Sequence, residues 1–108
     1  MDRLAALLEF HLLDPDDAFT RFAIAQEHIK RDDSEQALAF FEALVRDHPD
    51  YLGTYYHLGK LYAMLQRHGA AIEAYKGGID VAIKKGDLHA RAELQSALLE
   101  AEGIGSDD

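Results

Sequence analysis

Cysteine is absent from the 108 residues, and proline occurs only twice. Without thiols there can be no disulfide, thiolate zinc site or cysteine nucleophile, and the chain suits a reducing, cytoplasmic setting. So little proline, with almost half the residues apolar, marks a folded globular chain rather than a disordered one. Long hydrophobic runs are missing too: no stretch approaches the ~20 apolar residues needed to cross a bilayer. The apolar N-terminal run, Leu4 to Leu13, is interrupted by Glu9 and His11. With little positive charge before it and no small-residue cleavage site, it does not read as a signal peptide. Basic residues are scarce as well, eleven Lys and Arg against twenty Asp and Glu, for a formal charge of −9. Binding to nucleic acid or an anionic membrane relies on Lys and Arg, so neither partner is expected. Self-repulsion that keeps the chain soluble is the plain reading of the acidity.

Catalytic signatures are also lacking. There is no Gly-rich phosphate loop, nucleophile elbow or Ser/His/Asp set, and the expectation is a non-enzymatic protein without cofactor. Six histidines are present, but no two are three or four residues apart, so no metal site is expected. The pairs Asp16-Asp17 and Asp32-Asp33 lack the loop length and ligand number of a calcium site and read as helix starts.

What the chain does have is a repeat. Shifted by 34 residues, Pro15-Asp16 falls on Pro49-Asp50, Phe22 on Tyr56, Ile24 on Leu58, Ala25 on Gly59, Ala37 on Ala71, Leu38 on Ile72 and Phe41 on Tyr75. Small residues meet small ones and aromatics meet aromatics. Each unit reads as two helices, with Phe19, Phe22, Ile24, Ala25 and Ile29 recurring at helical spacing in the first. The capping turn Asp32-Asp33-Ser34 follows, then the stripe Ala37, Leu38, Phe41, Leu44 and Val45, stopped by Pro49. Short polar turns make neighbouring helices antiparallel. Gly59 stands inside a helical run at a cost of about 1 kcal/mol against Ala. With Ala25, Ala37 and Ala71 it reads as a small-residue notch for close helix approach, with Phe41 and Tyr75 filling the space beside it.

Tyr55, Leu58, Gly59, Tyr62, Ala71 and Tyr75 in the second unit, and Ile24, Ala25, Ala37, Phe41 and Pro49 in the first, resemble the tetratricopeptide repeat. Arg21, His28 and Ile83 depart from that pattern. The resemblance implies an all-α, right-handed superhelical array of about six antiparallel helices. The ends join the pattern: Leu4, Leu7 and Phe10 align with Leu38, Phe41 and Leu44. A shift of 36 puts Leu88, Leu94 and Leu98 on Leu52, Leu58 and Tyr62. The expected organisation is a single domain, 1–108. It holds a capping helix at 2–13, repeats at 16–48 and 50–85, a second capping helix at 87–102, and a frayed acidic tail at 103–108.

The resemblance further implies an inner groove lined by the first helix of each repeat. Its candidate residues are Phe19, Phe22 and Gln26 in one repeat and Tyr56, His57, Lys60 and Met64 in the other, with His89, Ala92 and Ser96 added by the last helix. Phe22 and Tyr56 lie off the helix face that carries Tyr55, Leu58, Gly59 and Tyr62, and are expected to anchor a ligand, with Lys60 pairing an acidic group. The Lys- and Asn-rich carboxylate clamp of some such domains is not present as a set. The expected function is docking of an unidentified protein or peptide. A homodimer, formed through a terminal helix or the groove, is the alternative.

Overall fold

The computed structural model describes residues 2–105, with side chains through Gly103. Six α-helices make up these residues: α1 (Arg3–Leu13), α2 (Ala18–Lys30), α3 (Ser34–Asp47), α4 (Gly53–Met64), α5 (His68–Lys85) and α6 (Leu88–Gly105). The contacts cluster into two compact units, divided between Tyr51 and Leu52. In the first, α2 packs on both α1 and α3. In the second, α5 packs on both α4 and α6.

Local chemistry fixes the helix ends. Asp2, Asp17, Asp33 and Asp87 each accept a hydrogen bond from the backbone N–H three residues on, at 2.8, 2.9, 3.2 and 3.0 Å. Four of the acidic residues thus satisfy helix N-termini, where a carboxylate also suits the dipole. At the other ends, α2, α4 and α5 close in the same way. Asp32, Gln66 and Gly86 take φ of 57°, 62° and 68°. The N–H after each returns five residues to His28, Tyr62 and Ala82, at 2.9 Å in all three. This is the Schellman closure, which glycine favours because the left-handed region penalises a Cβ. Only the third site has glycine.

Each unit closes over its own core. In the first, Ile24, Ala25, Ala37, Phe41 and Leu44 are fully buried, and Leu7 of α1 packs with Ala23 and Ile24. In the second the buried set includes Tyr55, Leu58, Leu61, Ala71, Tyr75 and Leu94. Tyr62 is half-buried. Gly59 faces the Tyr75 ring: a Cβ built there would lie 2.6 Å from Cδ1 and 2.7 Å from Cζ. A second close approach involves Gly78, where a Cβ would meet Tyr55 Cβ at 2.6 Å and Leu94 Cδ1 at 3.0 Å. One glycine on α4 admits a ring from α5, and on α5 the Gly77-Gly78 pair admits Tyr55 of α4, whose ring edge lies 3.2 Å from a Cβ built at Gly77.

The expected tail at 103–108 needs correction, because α6 continues through Gly103 to Gly105. Gly103 is not among the positive-φ glycines, and no proline follows it to stop the helix. Residues 106–108 lie outside the described residues. No helix among those described is long and apolar enough to cross a membrane.

Candidate interaction surface

In the second unit α4 and α6 lie on the same partner, α5, and leave a seam between themselves. Three depressions run along it. The first, about 270 Å³, is lined by Gly53, Tyr56, His57, Ala90, Glu93 and Leu94, together with Leu52. The next, about 210 Å³, shares Tyr56 and Glu93 and adds Lys60, Ser96, Ala97 and Glu100. A smaller one, about 40 Å³, shares Lys60, Ala97 and Glu100 and reaches Ala63, Tyr75 and Ala101. Shared lining residues make these one groove. Its floor is apolar (Ala90, Leu94, Ala97), and its walls offer a ring, a hydroxyl and charges.

The groove is polarised. Glu93 and Glu100 stand on α6, and Lys60 is the cation among the lining residues. The Lys60 ammonium lies 5.7 Å from the Tyr56 ring centroid, a cation–π distance. His57 is half-buried, and desolvation lowers its pKa, which keeps the imidazole neutral at pH 7. Burial pushes the Tyr75 hydroxyl up to about 12, with Tyr56 and the Glu100 carboxylate adding to the effect. Tyr75 therefore remains a neutral phenol at the end of the groove.

The residues named from sequence are distributed unevenly. Tyr56, His57, Lys60 and Ser96 line the seam. Phe19 is 62% exposed near the start of α2, Met64 is 69% exposed at the end of α4, and Gln26 is half-buried on α2. Phe22 is half-buried, in edge contact with Phe41 at 6.0 Å and tilted against Tyr51 at 5.7 Å. Tyr56 likewise leans on Tyr75, at 6.5 Å. The placement of Phe22 and Tyr56 away from their own second helices is thus corrected. A position 100° round the helix still reaches the neighbour when its side chain is an aromatic ring, because the ring extends sideways over the seam. Both rings therefore take part in packing within their repeats.

Two groove residues, Glu93 and Glu100, escaped the sequence reading. The 36-residue shift that aligned Leu94 with Leu58 also aligns Glu93 with His57 and Glu100 with Met64, so the signal was available. His89, 86% exposed and 3.6 Å from Glu93, takes no part in lining the depressions described. The Gly77-Gly78 pair also escaped notice. Among the described residues, no group of three or more His, Cys, Asp or Glu could hold a metal ion.

Comparison with known proteins yields no matching family model and no matching curated protein. Solved structures do match. A tetratricopeptide repeat domain protein from Salinibacter ruber, solved by solution NMR, is 54% identical over 88% of this chain and 96% of its own, with a TM-score of 0.82. A crystal structure from the same organism under the same description is 56% identical over 82% and 99% of the two chains, with a TM-score of 0.79. A protein from Bordetella parapertussis shares the fold at 21% identity, covering 96% of this chain and 90% of its own, with a TM-score of 0.81. At such identity and coverage, with the helix pairs described above, this chain belongs to the tetratricopeptide repeat family.

Proposed function

We propose that this protein is a non-enzymatic interaction module whose α4–α6 groove binds a Lys- or Arg-bearing segment of a partner protein. The observation that carries this reading is the pair of carboxylates, Glu93 and Glu100, that α6 sets along an apolar floor beside the Tyr56 ring. Apolar floors with a few polar groups and an aromatic anchor suit a peptide or helix. The sign of the partner follows from complementarity. Two Glu against one Lys, in a chain of charge −9, repel an acidic segment and attract a basic one. This reverses the expectation that Lys60 selects an acidic group, since the α6 carboxylates outnumber it. The shallow, open seam excludes little water, which supports binding rather than catalysis.

The test uses fluorescence anisotropy with two labelled peptide sets of equal length and matched apolar content, one Lys/Arg-rich and one Asp/Glu-rich. The basic set should bind and the acidic set should not. Reversing both charges, Glu93→Lys with Glu100→Lys, should weaken the basic set about tenfold or more. Both residues are exposed, so the melting point should change little. Binding of the acidic set by the unaltered protein would overturn the assignment.

A further inference from the structure

The α4–α6 groove already holds one cation over its ring. Lys60 follows Tyr56 by four residues on α4, and long helical side chains lean back toward the N-terminus, over the residue one turn before. The Lys60 ammonium accordingly lies 5.7 Å from the Tyr56 ring centroid, at cation–π distance. The ring itself is held by its neighbours, Tyr75 at 6.5 Å and His57 at 5.7 Å between centroids. Glu93 and Glu100 of α6 line the same depression of about 210 Å³. Lys60 forms no ion pair with either carboxylate. Glu93 has His89 at 3.6 Å, and Glu100 has no ion pair among the described residues. The cation of the groove is thus spent on the ring, and the two carboxylates keep their charge.

We infer that the Tyr56 ring, with Glu93 and Glu100 across the seam, is the subsite for a single Lys or Arg side chain of the partner, and that Lys60 occupies the ring as a displaceable stand-in. The step rests on the proposed function and names which group of the groove must move when the partner binds. Two cations over one ring face repel each other, so an incoming side chain and Lys60 exclude one another. Lys60 gives way readily, because it is exposed and its flexible stem returns the ammonium to water. The exchange favours the newcomer. Lys60 engages the ring without the carboxylates, whereas a side chain entering the depression meets the ring and both carboxylates together. Arginine suits this place especially, since a guanidinium stacks on a ring and pairs with a carboxylate at once. Lys60 therefore sets the affinity of the groove below what its walls alone would give.

Fluorescence anisotropy with the labelled Lys/Arg-rich peptides, at one salt concentration, tests it on the unaltered protein, Lys60→Met, Tyr56→Leu and the double variant. Met keeps the stem and drops the charge. Removing a like charge tightens binding to some extent wherever the charge stands, and that part is common to both backgrounds and cancels in the cycle. What remains is the competition for the ring: Lys60→Met should tighten binding about two- to fivefold more when Tyr56 is present than when it is replaced. Proton NMR gives a second readout. The Lys60 ε-methylene resonances should lie upfield in the free protein, under the ring current, and return to the ordinary lysine position as peptide saturates the groove. Tyr56 also leans on Tyr75, so should Tyr56→Leu unfold, these resonances decide alone. Equal gains in the two backgrounds, or Lys60 resonances that stay upfield at saturation, overturn this inference and leave the proposed function standing. Absence of binding by both the unaltered protein and Lys60→Met overturns the two together.

Discussion

The pairs α2–α3 and α4–α5 solve one packing problem with different residues. In the first, Ala25 and Phe41 are both fully buried; in the second, Gly59 and Tyr75 occupy the equivalent places. The larger ring goes with the smaller partner. A second exchange runs the other way along the helices. Tyr55 fits against Gly78, whereas its counterpart Arg21 stands opposite a first unit that has Leu44 in place of glycine. Leu44 is fully buried. The Arg21 side chain, only 15% exposed, donates to Asp47 at 2.7 Å and to the Pro15 carbonyl at 2.9 Å. The lesson is that, at the Ala25/Gly59 position, a smaller residue on one helix goes with a larger ring on the other.

The largest effects should come from removing the rings. Phe41→Ala and Tyr75→Ala should each cost about 3–5 kcal/mol, because both are buried and their cavities can collapse only in part. Urea unfolding measures this. A loss below about 1 kcal/mol for either would break the comparison at its centre. Next come the exchanges themselves. Gly78→Leu alone should cost roughly 1–3 kcal/mol by crowding Tyr55. Adding Leu94→Ala, which clears the two methyls at 3.0 and 3.1 Å from that site, should recover part of that loss, with a coupling of about 0.5–3 kcal/mol. Strict additivity of the two changes would show that the sites are independent.

A smaller effect concerns the Arg21 arrangement, which the second unit lacks. Hydrogen bonds from Arg46 and Arg21 hold the Asp47 carboxyl at about 2, below its ordinary 3.8. A depressed carboxylate contributes stability that is present above its unfolded value and lost as pH falls toward the folded value. The melting point of the unaltered protein, minus that of Asp47→Asn, should therefore shrink between about pH 4 and pH 2. A difference constant across that window would remove Asp47 from the account. The smallest effect sits at the helix closures. Gln66→Gly should stabilise by about 0.5–1 kcal/mol by relieving a Cβ at φ 62°. Asp32→Gly should gain less, since Asp tolerates that region better.

Much of the array was legible because its period is carried by size classes, and size is what core contacts select. The 34-residue shift finds Ile24/Leu58, Ala37/Ala71 and Phe41/Tyr75 without any geometry. Gly77-Gly78 was not legible in the same way. Two glycines within a helix signal weakness locally, and their use depends on Tyr55 lying opposite, a contact 23 residues away in sequence. The Phe22 and Tyr56 rings were misplaced because a helical wheel assigns positions to Cα atoms, whereas an aromatic side chain reaches well beyond its own sector. The acidic wall of the groove lay within reach of the 36-residue shift and needed only its completion at Glu93 and Glu100.

The most direct measurement is an amide NMR titration of the whole chain with a Lys/Arg-rich peptide. The account predicts shifts concentrated around Tyr56, His57 and Lys60 on α4 and around Glu93, Ser96 and Glu100 on α6, and lost in Glu93→Lys with Glu100→Lys. Shifts concentrated instead on α1 and α3, with α4 and α6 unmoved at saturation, would contradict it.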